Sequence, residues 1–285
     1  MGLFGEVESF FNLWERVKSK SKAEPTLVSR FVEVFEKHGV HKNQIPRFFG
    51  HGLTLADVAT DDRLLPKLND ELLQDLCEKF AIRREWLDGA SSQIYPIHHF
   101  YKYPKDFDSF LKTLINSNGD QSDFSGFLVI SDSLTPEADA VLVLEEVIGS
   151  VGEKNICRYH FCDTWRYEYW KSRAYLTSCL AFSYRNNCHI YGRVMPEKKL
   201  IQYREGNKFF TDHKLESGRR FEPEDLIYLP EKFLNGIDPE RDNFGRISAL
   251  SLWIDLAEDD CMTGYVEPDL DKFMECYRVE SSKNN

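Results

Sequence analysis

The stretch GVHKNQIPRFFGHGLTLADVA, Gly39 to Ala59, decides how the first third of this chain folds. Gly39 is placed to stop one helix, and Gly50 and Gly52 break a second that runs from about Lys42 to Phe49. Pro46 falls in the first turn of that second helix, where backbone N–H groups have no intrahelical partner, so its missing donor costs little. Thr54 is set to cap a third short helix through about Ala59. On the N-terminal side, Thr26 caps a helix carrying Val28, Phe31, Val32 and Phe35. On the C-terminal side, Asn69 or Asp70 opens a helix with Leu72, Leu73, Leu76, Cys77 and Phe80 on one face, and RREWLDG closes the unit at Gly89.

Gly39-Val40 ends the first helix; Ile45 follows Gly39 by six residues, Gly50 follows Ile45 by five, and Trp86, Leu87 and Gly89 supply a closing WL-x-G signature. In this order and spacing, residues 27–89 resemble the phage-repressor (Cro-type) helix-turn-helix family. The resemblance implies a second helix with its N-terminus against phosphate and a third in the major groove of DNA. It makes Lys42, Asn43, Gln44 and Arg47 phosphate-side candidates, and Thr54, Asp57 and Arg63 groove-side candidates. The chain departs from the family at Pro46, where a small helix former is usual. It departs again in TLADVATDD, which has no Arg, Lys, Gln or Asn to grip base edges and has three Asp instead.

Charge bears on the same question. The net charge is -11, and the segment from Phe221 to Asp271 holds 14 acids against 3 bases, so the remainder sums to zero. Residues 26–90 hold 9 Lys/Arg and 11 Asp/Glu, and only KHGVHKNQIPR is locally positive. A DNA reader usually shows a basic patch.

At 285 residues, 42% of them hydrophobic, the chain is long enough for two domains. The expected division is an amphipathic helix in residues 1–22, the helix-turn-helix at 26–90, a connector and helix at 91–118, and an α+β domain at 119–285. The runs GFLVIS, AVLVLEEVIG, NICRYHF, CHIYGRVM and KLIQYRE read as strands. GSVGEKN and PEKK read as hairpin turns between them, which implies a mainly antiparallel sheet. DTWRYEYWKSRAYLTSCLAFSYRNN reads as a helix with Trp165, Tyr169, Leu176 and Leu180 on one side, and 223–235 and 244–257 as further helices. No run approaches the roughly 18 apolar residues of a membrane span, and the seven cysteines read as reduced, cytosolic thiols.

No metal, cofactor or catalytic motif stands out. CRYHFC places His160 and Cys162 on one face of a strand and Cys157 on the other, which does not build a tetrahedral site. The aromatic cluster YHFCDTWRYEYW suggests either a ligand pocket, with Arg158, Trp165, Arg166 and Tyr169 as candidates, or an aromatic core with arginines on its rim. The expected function is a transcriptional regulator, working as a homodimer on DNA, with a C-terminal domain that senses a ligand or serves oligomerisation. The alternative is an adaptor whose helix-turn-helix docks a protein partner.

Overall fold

The computed structural model describes residues 25–117, 123–133, 139–210 and 219–283. The amphipathic helix expected in residues 1–22 lies outside them. Helix α1 spans Leu27–Lys37, capped by Thr26, whose hydroxyl accepts from the Ser29 N–H. A 3₁₀ turn at Lys42–Gln44 leads into α2 at Ile45–Phe49, with Pro46 in its first turn as the spacing requires. Short α3, Asp61–Leu64, precedes α4 at Asp70–Phe80, where Asn69 accepts from the Leu72 N–H, and α5 at Arg84–Leu87 closes the module.

The third helix expected over Thr54–Ala59 is a correction. Thr54 does begin a turn, its carbonyl accepting from the Asp57 and Val58 N–H groups. Only this one turn forms, because Thr60 is extended and the chain restarts at Asp61.

The sheet is built from β1 (Ile97–His98), β2 (Phe124–Ser131), β3 (Asp139–Val151), β4 (Lys154–Arg166), β5 (His189–Met195) and β6 (Arg219–Phe221). Their order is β1-β4-β3-β2-β5-β6. The β2–β3, β3–β4 and β5–β6 pairs are antiparallel, while β1–β4 and β2–β5 are parallel, so the sheet is mixed rather than built from hairpins alone. Helix α6 (Pro104–Ser117) precedes β2, and α7 (Trp170–Arg185) is the crossover from β4 to β5.

Two further corrections concern boundaries. KLIQYRE is not a strand and PEKK is not a hairpin turn: together they make α8, Glu197–Arg204. Leu200 and Tyr203, three apart, are both buried against the sheet, a helical period in a run whose Ile and Tyr also suit a strand. Trp165 and Arg166 belong to β4, and the helix begins only at Trp170, so Trp165 shares no helical face with Leu176 and Leu180. Helices α9 (Asp225–Tyr228), α10 (Pro230–Leu234), α11 (Phe244–Glu258) and α12 (Leu270–Ser282) complete the chain.

The sheet divides two cores. On one face, Val129, Val141, Val143 and Phe161 pack with Phe35 of α1, Phe80 of α4 and Leu200 of α8. On the other, Leu128, Leu142, Leu144 and Ile190 pack with Leu111 of α6, Leu176 and Leu180 of α7 and Leu250 of α11. The N-terminal helices therefore form one outer layer of a helix–sheet–helix arrangement and share its core. The β3–β4 hairpin fastens them: the Lys154 side chain lies against Gly39, whose φ of +85 favours glycine, and Gly149 lies against the Phe48 ring. No helix of the described residues is long and apolar enough to cross a membrane, and the seven cysteines form no disulfide.

Candidate functional site

At the end of β4 the ladder with β3 slips by one residue, between the Val141–Thr164 and Leu142–Cys162 pairs. Asp163 is the extra residue, a β-bulge. Its φ of +66 is a left-handed conformation that Asp and Asn adopt more readily than most non-glycine residues, because their short side chains bond locally. Here those bonds are visible. The Asp163 carboxylate is buried, and one oxygen accepts from the Phe100 and Tyr101 N–H groups at 3.0 Å each. The other accepts from the Thr164 N–H at 2.8 Å and meets His99 Nδ1 at 3.3 Å. One side chain thus clasps the segment after β1 to the end of β4.

The clasp shapes a cavity of about 520 Å³ between that segment and the start of α7. Tyr101, Tyr103 and Tyr169 supply its aromatic lining, Arg166 and His99 its basic groups, and Ser172 its floor. The Arg166 guanidinium stands 6.0 Å from the Tyr169 ring centre, and Tyr101 packs edge-on to Trp165 and Tyr175. Burial, together with the neighbouring Tyr169 and Tyr175 phenols, pushes the Tyr101 hydroxyl above the ordinary tyrosine range.

Of the four ligand candidates from the sequence, Arg166 and Tyr169 line this cavity. Trp165 and Arg158 do not. Trp165 points into the core, its Nε1–H donating to the Cys162 carbonyl at 3.0 Å. Arg158 lies eight residues back along β4, roughly 25 Å away at about 3.3 Å per residue. Its guanidinium grips Glu146 on β3 through two hydrogen bonds, at 2.6 and 2.7 Å, while a third nitrogen donates to the Glu78 carbonyl at the end of α4. His160 Nε2 meets the same Glu146 carboxylate at 2.8 Å. Burial alone would raise the Glu146 pKa, but the His160 and Arg158 hydrogen bonds and charges outweigh it and hold the carboxyl below its usual range. In the sequence, Tyr101, Tyr103, His99 and Asp163 carried no signal beyond an aromatic-rich connector and a bulge that no local pattern announces.

The helical candidates divide. Asn43, Arg47 and Arg63 are exposed. Lys42 pairs with Asp61 at 3.3 Å, and the Gln44 side chain accepts from the His41 N–H at 2.9 Å. Arg47 and Gln44 also line a cleft against the β3–β4 hairpin at Ile148 to Val151. Thr54 and Asp57 are turned on each other: the Asp57 carboxylate accepts from the Thr54 N–H at 2.9 Å and from its hydroxyl at 2.6 Å. These bonds, with Lys67 at 3.5 Å, hold the Asp57 carboxyl below its ordinary range. Between them Leu55 stands 64% exposed and, beyond α3, Leu65 stands 54% exposed. Among the described residues no group of three or more His, Cys, Asp or Glu could hold a metal ion. No protein-family model, no curated protein and no solved structure matches this chain.

Proposed function

We propose that this protein is a ligand-binding regulator: a small molecule enters the Tyr101–Tyr103–Tyr169 cavity, and the helical module acts on a protein surface rather than on DNA. The observation that carries the output half is the closed Thr54–Asp57 turn with Leu55 at its tip. A base-reading segment needs hydrogen-bonding side chains turned outward. Here the Thr54 and Asp57 side chains bond to each other, and Leu55 between them faces solvent.

A second reading, sequence-specific DNA binding by a homodimer, is favoured by the exposed Asn43, Arg47 and Arg63. Fluorescence anisotropy of the full chain with mixed-sequence duplex DNA, at low salt and through a salt titration, separates the two. No binding at low salt supports the protein-directed reading. Binding that falls steeply with salt and is weakened by Arg47→Ala overturns it in favour of DNA.

A further inference from the structure

Three tyrosines converge on one cavity in a chain whose net charge is -11, yet among the described residues the charges around them are mainly basic. Arg166 lines the cavity beside the Tyr169 face. The Lys102 ammonium lies 5.4 Å from the centre of the Tyr101 ring. Lys171 lies 4.8 Å from the Trp170 ring, which itself packs edge-on to Tyr169. Among the described lining residues the one carboxylate, Asp163, is 7% exposed and spends its two oxygens on three backbone N–H groups and the His99 ring.

We propose that the cavity takes a planar aromatic ring carrying a negative charge, such as an aromatic carboxylate or a nucleotide. This rests on the reading of the cavity as a ligand site. The ring lies against Tyr101, Tyr103 and Tyr169, and the anion turns toward Arg166 and Lys102. Aromatic faces attract cations, but here resident cations already sit on two of them, so a second cation meets repulsion and an anion meets attraction. A volume of about 520 Å³ suits a ligand of this size. Tyr103, 63% exposed, lines the same cavity and leaves its ring accessible from solvent.

The test uses one ring with three charges. Saturation-transfer NMR and fluorescence titration of the full chain would compare 2-naphthoate, 2-naphthamide and trimethyl-(2-naphthyl)ammonium, with adenosine 5′-monophosphate as a fourth probe. The expected result is 2-naphthoate binding about ten-fold more tightly than the amide and no measurable binding of the ammonium. Lys102→Glu, at an exposed position, should remove most of that preference, and Tyr103→Ala should weaken the naphthoate without altering the thermal unfolding midpoint. Either order of 2-naphthoate and the nucleotide supports the class and tells its two sources apart. Equal or tighter binding of the amide or the ammonium overturns the charge assignment while leaving a ligand site. Binding of none of the four probes overturns the ligand site itself.

Discussion

Arg158 holds Glu146 in a two-point ion pair across β3 and β4, with the carboxylate fully buried and the guanidinium mostly so. A third nitrogen of the same guanidinium donates to Glu78 at the end of α4, so one side chain ties the sheet to the helical module. Removing Arg158 leaves the buried Glu146 carboxylate without its guanidinium while His160 stays beside it, and removing the Glu146 charge leaves a mostly buried guanidinium without its carboxylate; either change costs about 3 kcal/mol. Glu146→Gln and Arg158→Gln should each lower the urea-unfolding free energy by about that amount. The double variant should cost less than the sum. Additive losses would show that the pair is not coupled.

His38, at the C-terminus of α1, is buried between Phe80, Tyr159 and Phe209, at the junction of the helical module and the sheet. Its Nδ1 donates to the Val34 carbonyl at 2.6 Å, which fixes the neutral tautomer. Burial lowers its pKa from 6.5 to about 4, against a smaller opposing effect of the Val34 bond. The unfolded chain takes up this proton near 6.5 and the folded chain only near 4. Between those values the unfolded state carries more protons, so the contribution is complete above pH 6.5 and drains away as pH falls, by about 3 kcal/mol in all. Unfolding free energies measured from pH 7 to pH 4 should show this slope. His38→Phe should flatten it, and an unchanged slope would refute the assignment.

Asp163→Ala strips the acceptors from the Phe100 and Tyr101 N–H groups and leaves a Cβ in the left-handed region. A loss of about 1–3 kcal/mol is expected. Asp163→Asn keeps one carbonyl acceptor and a residue tolerant of positive φ, so it should retain about half of the stability. Hydrogen exchange at the Phe100 and Tyr101 amides should accelerate in the Ala variant. Unchanged protection there would mean that another group holds the segment.

Leu55 and Leu65 lie on the outward side of the helical module. Replacing both with Gln should change stability by no more than about 0.5 kcal/mol, as for other exposed positions. If this surface pairs two copies of the chain, sedimentation should show a dimer in the unaltered protein and a monomer in the variant. The same mass for both would remove self-association from the roles of this face.

The elements with the strongest periodicity were legible in the residues. Asn69 caps a helix whose buried face is the expected Leu72, Leu73, Leu76, Cys77 and Phe80; Thr26 caps one whose face buries Val34 in place of the expected Val32; and the β3–β4 hairpin turns within GSVGEKN. KLIQYRE misled because a short run of Leu, Ile and Tyr suits either period; burial of Leu200 and Tyr203 decides it, and burial comes from the sheet they land on. TLADVA carries a sound cap, but Asp57 bonds back to Thr54 within one turn and Thr60 extends the chain. Half of the candidate cavity was visible through Arg166 and Tyr169. The other half comes from Tyr101 and Tyr103, brought over by a bulge at Asp163 whose signature is a backbone angle rather than a residue pattern.

The shared core on the inner face of the sheet fixes the reach of the helical module. Phe35 and Phe80 are buried in the same cluster as Val143 and Phe161, and the connector is held by Ile94 and Tyr95 donating to the Gly206 carbonyl. A head on a flexible tether searches a volume and adapts to the spacing of its targets. This one cannot: if two copies associate, the distance and angle between their Leu55 tips are dictated by how the sheet domains meet, and the pair behaves as a gauge of fixed span.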